Sequence, residues 1–191
     1  MLDELKKALA ERNKLVINDC NLKPSAVLVP LFYKDGKCHI LFTRRTDHLA
    51  HHKGQISFPG GGRHEGDKSL LETALRESWE EIGLRESDVE VIGELDDAAT
   101  TTSFFCITPF VGIIPYPYEF KRDTFEVKEI FDVSIDDLMA APRKEDIVEI
   151  GGAPVTVQSY DIEGRNIWGA TAWILTGFLE IIRGVSGARC N

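Results

Sequence analysis

The chain is poor in the features that mark secreted, membrane-spanning or nucleic-acid-binding proteins. Its four cysteines, Cys20, Cys38, Cys106 and Cys190, stand far apart and form no Cys-x-x-Cys pair. Structural zinc needs closely spaced thiolate or imidazole ligands, so a zinc finger is excluded. An even count would allow two disulfides, but a chain of 191 residues can fold without them, and reduced thiols are the expectation. No apolar run approaches the roughly 20 residues of a transmembrane helix. The opening MLDELKKALAERNK is amphipathic and charged, with no apolar signal-peptide core, so the expected location is the cytoplasm and no membrane partner is expected. Positive charge is scarce: 22 Lys and Arg stand against 31 Asp and Glu, a net charge of −9. That balance argues against a nucleic acid held by bulk electrostatics. It does not exclude a small phosphate-bearing substrate, provided local carboxylates first capture a divalent cation.

What remains is the composition of an ordinary globular domain, 43% hydrophobic, 28% charged and 9% aromatic. Residues 1–191 read as a single domain with a helical extension over residues 1–22. Ala26 to Tyr33 and Cys38 to Thr43 read as strands joined at Asp35-Gly36, a strong hairpin-turn pair. Val89 to Leu95, a run from Phe104 to Ile114 broken by Pro109, and Phe125 to Val133 follow as strands. Val155 to Tyr160 and Asn166 to Trp168 are late strands, with Trp168 expected in the core because large aromatics dominate burial. Thr171 to Arg183 is a final amphipathic helix. Strands and helices mixed in this order predict an α/β sandwich.

The most informative segment is Gly60 to Leu84, GGGRHEGDKSLLETALRESWEEIGL. Ser69 to Gly83 reads as a helix closed by its glycine. At about 100° per residue, Leu71, Ala74, Leu75, Ser78, Trp79 and Ile82 share one side, so Leu75 and Trp79 are expected to face the core. Thr73, Glu77, Glu80 and Glu81 lie on the other. Like charges three and four apart destabilise a helix by roughly 0.2–0.5 kcal/mol per pair, and the macrodipole disfavours anions in its second half. Hard cations such as Mg²⁺ bind carboxylate oxygens and share substrate phosphates, which turns that repulsion into a site. Arg76 can neutralise and orient one carboxylate. A solvated acidic face is the ordinary meaning of such a run, and the helix alone does not choose between the two. The glycines after Phe58-Pro59 allow the backbone to approach a metal or phosphate closely.

These residues resemble the Nudix box: a glycine, five residues, a glutamate, seven residues, then Arg-Glu-apolar-any-Glu-Glu-any-Gly-apolar. Arg76 to Leu84 matches its second part, with Ser78 at the apolar position. Lys68 occupies the first glutamate's spacing, and Asp67 serves there if one residue is inserted. The resemblance implies a Nudix-type α/β/α sandwich with a mixed β-sheet between helices, the box loop and helix spanning residues 60–84. It further implies a diphosphatase using Mg²⁺ or Mn²⁺, held by Glu77, Glu80, Glu81 and the Gly60 carbonyl, with Arg76 fixing the triplet. The family's general base varies in position; Glu126 or Glu129 is the place to look, with Glu126 the choice.

Upstream, LFTRRTDHLAHHKGQISFPGG (Leu41 to Gly61) is similar to the signature of coenzyme A pyrophosphatases within that family. Thr43, Arg45, Gly54, Phe58, Pro59, Gly60 and Gly61 fall in place and Thr46 replaces a serine. Ala50 stands where a second arginine is usual, with His51, His52 and Lys53 beside it. Thr101-Thr102-Ser103-Phe104, Ile107 to Gly112 and Ile167 to Ala172 look like later blocks of the subgroup. The implied reaction splits coenzyme A or its derivatives into 3′,5′-ADP and 4′-phosphopantetheine or its acylated form. Arg44, Arg45, His52, Gly60 and Gly61 would then contact substrate. Rival readings are a Nudix hydrolase of ADP-ribose, a dinucleotide or another conjugate, and a Nudix-like domain that senses a nucleotide without turnover. Whether the chain is a monomer or a homodimer is left open.

Overall fold

A computed structural model describes residues 2–48, 53–100, 103–150 and 152–187. The chain order is α1 (Leu2–Glu11), β1 (Lys23–Lys34), β2 (Lys37–Arg45), β3 (Ile56–Ser57), β4 (Gly60–Gly62) and α2 (Leu70–Ile82). There follow β5 (Glu90–Glu94), β6 (Ala98–Ala99), β7 (Phe105–Ile113), β8 (Val127–Ser134) and α3 (Ile135–Ala140). The chain closes with β9 (Arg143–Ile150), β10 (Ala153–Ile162), β11 (Arg165–Trp168) and α4 (Gly169–Gly187). None of the described helices is long and apolar enough to cross a membrane.

Strand β1 organises the main sheet. Its first half pairs antiparallel with β4, Ala26 opposite Gly61, and its second half with β2, Leu31 opposite Ile40. On its other side β7 runs parallel from Lys23↔Phe105 to Leu31↔Ile113, and β5 pairs antiparallel with β7. Strand β8 pairs with β2 beyond the β1 edge. The sheet is therefore mixed, as the box implies. Alternate residues feed two cores. Ala26, Leu28, Phe32, Leu41 and Phe110 pack beneath α2 with Ala74, Ile82 and Leu84. Val29, Leu31, Ile40, Phe42 and Phe58 pack on the opposite face with Leu175, Phe178 and Leu179 of α4 and Leu5 and Leu9 of α1. The result is the α/β/α sandwich, with α2 on one face and α1 and α4 on the other.

Three expectations are corrected. Strand β7 runs unbroken through Pro109. A residue's N–H and C=O point to the same side of a strand, and the Pro109 carbonyl accepts from Leu95, just past the end of β5. The missing donor thus faces a side where the neighbouring strand has already ended. Strand β9, unread in the sequence, pairs with β10 in a separate three-stranded sheet, and its described side chains are exposed, so no burial alternation marks it. Trp168 is 44% exposed, because Ile167 beside it is wholly buried and adjacent strand residues face opposite ways.

The segment after α1 is tied down by one buried carboxylate. Asp97 accepts from the Ile17 N–H (3.0 Å) and the Thr108 hydroxyl (2.8 Å), and pairs with Lys14 at 3.0 Å. Asp97→Ala strands these partners, and is expected to cost about 1–3 kcal/mol in urea denaturation and to speed amide exchange at Ile17.

Candidate active site

Helix α2 begins where Ser69 caps it, its hydroxyl accepting from the Glu72 N–H at 3.1 Å. It ends at Gly83 in the left-handed conformation, with Gly83 N–H donating to Trp79, the closure of an αL cap, and Leu84 N–H adding a bond to Ser78. Between these caps the buried residues are Thr73, Ala74, Leu75, Ser78, Glu81 and Ile82. This corrects the expected faces at three positions. Trp79 is 51% exposed, while Thr73 and Glu81 are buried. The apolar stripe is narrower than six residues; a partner in the loop before α2 draws Thr73 inward, and partners on the sheet draw Glu81 inward.

Those partners are specific. Asp67, buried in the loop before α2, accepts from the Thr73 hydroxyl at 2.9 Å and the His64 N–H at 2.9 Å. Its two oxygens also take Arg76 Nε at 2.9 Å and Nη2 at 3.0 Å, a bidentate pair. Asp67 therefore holds the arginine of the box, and the one-residue insertion leaves Lys68 outside, where its N–H donates to Glu72. The Arg76 hydrogen bonds keep the Asp67 carboxyl well below the usual carboxylate range, and Asp67 raises Arg76 further in return. The remaining nitrogen of that guanidinium, Nη1, reaches Glu77 at 2.8 Å and Glu80 at 3.0 Å.

The glycines form strand β4 rather than a loose loop. Leu28 donates to the Pro59 carbonyl and Arg63 to the Pro24 carbonyl, so Gly60, opposite Val27, occupies a non-hydrogen-bonded position. Its N–H and C=O point away from β1. The N–H donates to Glu81 Oε2 at 3.3 Å, which leaves the carbonyl beside it free of the ladder. A Cβ on Gly60 would sit 2.3 Å from the Ala26 oxygen, and one on Gly61 would sit 2.5 Å from the Glu77 carboxyl carbon. At Gly60 the clash is with backbone, so only glycine lets β4 lie this close to β1; at Gly61 it is with the end of the Glu77 side chain, which would have to move.

Arg45, at the end of β2, extends Nη1 to 3.5 Å from Glu81 and Nη2 to 3.7 Å from Glu126. Its Nε is buried and has no hydrogen-bond partner among the described residues. Glu126 reaches this point because its loop wraps the end of α2. Lys121 N–H donates to the Ile82 carbonyl and Asp123 N–H to that of Glu81. Thr46 then clamps the loop to β2, its N–H donating to the Glu126 carbonyl at 2.9 Å and its hydroxyl to that of Phe125 at 2.8 Å. The hydroxyl residue after Arg45 is thus a structural clamp, a role the sequence reading did not assign to it. Thr43 and Arg45 share the α2 face with Leu41. Arg44 continues the other face, that of Ile40 and Phe42, and so lies away from the triplet. Glu129 takes that face as well, and its carboxylate pairs with Arg165 at 2.7 Å. Of the two acidic candidates after the loop, only Glu126 stands beside Glu81. Ala50, His51 and His52 lie outside the described residues.

Glu77, Glu80, Glu81 and Glu126, with the Gly60 carbonyl, offer hard oxygen donors of the kind divalent cations prefer. Among the described residues no three acidic or imidazole side chains already converge on one point. Arg76 and the Gly60 N–H engage the carboxylates instead. One further observation fits a cation, the close seat that Gly61 leaves for the Glu77 carboxylate; the unsatisfied Nε of Arg45, a charged donor, fits an anion such as a phosphate.

Burial pushes the Glu81 carboxyl up to about 8, against the pull of Arg45 and the Gly60 N–H, and burial also raises Glu77. In metal-free protein the folded state then holds the Glu81 proton more tightly than the unfolded chain, whose ordinary value is 4.5. Its contribution to stability is complete below that value, declines as pH rises, and is gone above about 8. Urea denaturation in a chelator at pH of about 5, 6.5 and 8 should show this decline, and Glu81→Gln should flatten it.

Comparison with known proteins agrees with this geometry. The NUDIX domain family model matches residues 22–150. A Yersinia enterocolitica protein named as the uncharacterized Nudix hydrolase NudL is 36% identical over 156 residues, covering 81% of this chain and 79% of its own. The Yersinia pestis NudL is 34% identical over 152 residues, 79% of this chain and 75% of its own. Among solved structures, a Caenorhabditis elegans Ap4A hydrolase binary complex superposes with a TM-score of 0.52 at 15% identity, covering 62% of this chain and 85% of that one. The NUDIX domain of Shewanella oneidensis NrtR complexed with ADP ribose gives 0.50 at 18% identity, covering 71% and 86%. At such identities the two structures speak for the fold alone. With a family model spanning most of its length and relatives above 30% identity, the chain belongs to the Nudix hydrolases, enzymes that cleave diphosphate bonds.

Proposed function

We propose that the substrate of this Nudix hydrolase is coenzyme A or its derivatives, split at the diphosphate into 3′,5′-ADP and 4′-phosphopantetheine or its acylated form. The observation that carries the reading is Arg45. It belongs to the upstream signature of coenzyme A pyrophosphatases, and its guanidinium lies 3.5 Å from Glu81 with Nε unsatisfied. The clamp made by Thr46 and the glycine strand supplies reasons for other positions of that signature. Residues 1–191 are taken as one domain, with residues 1–22 as its extension.

In this reading Glu77, Glu80, Glu81 and the Gly60 carbonyl hold Mg²⁺ or Mn²⁺. The bound cation supplies polarisation of the bridging phosphates and neutralisation at the leaving oxygen. Arg76 keeps Glu77 and Glu80 together through its anchor on Asp67. Gly60 and Gly61 admit the diphosphate close to the backbone, and Arg45 turns its unsatisfied nitrogen to a phosphate oxygen. Glu126 accepts a proton from the attacking water, since it shares Arg45 with Glu81 and meets that guanidinium only at long range, 3.7 Å.

A second reading, hydrolysis of ADP-ribose or a dinucleotide, is favoured by Ala50, which removes an arginine of the signature. The fold neighbours that bind ADP ribose or are named for Ap4A belong to the same fold and do not choose between substrates. Product analysis with Mg²⁺ or Mn²⁺ should decide, using coenzyme A, acyl-coenzyme A, ADP-ribose, NADH and diadenosine polyphosphates. Preference for a coenzyme A species is expected, and a preference for ADP-ribose or a dinucleotide overturns it. Glu80→Gln is expected to lower kcat about tenfold or more with an unchanged circular dichroism spectrum. Parental activity in that variant would remove Glu80 from the machinery.

A further inference from the structure

Arg45 is bound in an unusual way. It is the guanidinium that faces Glu81, a carboxylate only 4% exposed, yet its nearest nitrogen stands at 3.5 Å, beyond a good charge-assisted hydrogen bond. Its contact with Glu126 is longer still, 3.7 Å, and Nε, although buried, makes no hydrogen bond among the described residues. Arg76 differs in every respect. Four of its contacts with carboxylates fall between 2.8 and 3.0 Å and a fifth reaches the Gly62 carbonyl at 3.2 Å. One arginine of the site is locked, and the other is attracted without being held.

Ionising a carboxyl group this deeply buried calls for a compensating charge. For Glu81 the Gly60 N–H supplies one hydrogen bond and Arg45 the nearest positive charge. A divalent cation arriving at Glu81 would compensate it better, and would repel a guanidinium at that range. Arg45 would then lose its reason to point at Glu81 and Glu126, while still carrying an unsatisfied donor. A substrate phosphate is the anion that the same cation brings in.

We propose that Arg45 is an exchangeable counter-charge. It stands in for the divalent cation at Glu81 and Glu126 when the cation is absent, and is released onto the substrate diphosphate when the cation binds. Cation and diphosphate binding are then coupled through one side chain, and Glu126 is uncovered in the same movement. The inference rests on the metal-dependent hydrolase reading above, but not on which nucleotide conjugate is cleaved.

The test uses full-length protein and two probes, Mn²⁺ followed by electron paramagnetic resonance and α,β-methylene-ADP, a diphosphate that is not hydrolysed, followed by calorimetry. In the wild type, Mn²⁺ should strengthen binding of the analogue, and the analogue should strengthen binding of Mn²⁺ by the same factor. Arg45→Gln should bind Mn²⁺ alone about threefold more tightly, because a competing cation is gone. The same substitution should lower the coupling factor about fivefold or more. A tighter Mn²⁺ site with unchanged coupling would make Arg45 a mere electrostatic neighbour and overturn the exchange. Because Arg45→Gln leaves Glu81 without its counter-charge and could impair folding, the wild type supplies a second readout. The Arg45 Nε–H nuclear magnetic resonance signal, assigned by its loss in Arg45→Lys, should shift on adding Mg²⁺ and again on adding the analogue. A signal indifferent to Mg²⁺ overturns the exchange alone. Failure of the wild type to bind Mn²⁺ at all overturns both this inference and the metal-dependent reading beneath it.

Discussion

The site depends on one guanidinium held rigidly by a buried carboxylate. Asp67 grips Arg76 through two oxygens, and Arg76 in turn holds Glu77 and Glu80 within 3.0 Å. Without that fixed positive charge, carboxylates at these helical spacings would repel one another at the end of a helix whose dipole already disfavours them. The pair is anchored from both sides, because Asp67 also takes the Thr73 hydroxyl and the His64 N–H. Loop, helix and acidic stripe are thus one hydrogen-bonded body.

Against that body lies a strand that only glycine can make. β4 continues the main sheet, yet its Gly60 turns both backbone groups away from β1, and its N–H reaches Glu81. Gly61 leaves the Glu77 carboxylate a seat that any side chain would fill. The acidic helix therefore meets a backbone edge rather than a wall of side chains. The far rim comes from β2 and the loop before β8, joined by Thr46, so that three separate stretches of sequence converge within a few ångströms.

The two arginines divide the electrostatic work. Arg76 is a permanent part of the scaffold, since its partner is buried and bidentate. Arg45 meets its carboxylates at longer range and leaves one nitrogen unsatisfied, which is the condition for a group that changes partners. Burial raises Glu81 because a lone carboxylate there is poorly solvated, and this makes the position responsive to whichever cation is nearby.

Much of this was legible before any coordinates. The acidic stripe at three- and four-residue spacing, the glycine stop at Gly83, the mixed α/β order and the Nudix box are properties of adjacent residues, and local spacing carries them. The misreadings arose where a residue's direction depends on a distant partner. Trp79 fits an apolar helix face on a wheel diagram, but the sheet beneath α2 admits Glu81 and Thr73 instead. Arg44 and Arg45 look equivalent in sequence; the period of two along β2 sends one to each face. Glu126 and Glu129 look equivalent as well, and Arg165 claims the second. Among its described side chains strand β9 carries no alternation of burial, so nothing local announced it. By itself, then, the sequence determined the chemistry on offer: which side chains are acidic, where helix α2 starts and stops, and where only glycine will do. The tertiary structure decided which of those groups meet, because strand parity, the wrapping of the loop around α2 and the buried Asp67–Arg76 pair are relations between residues far apart in the chain.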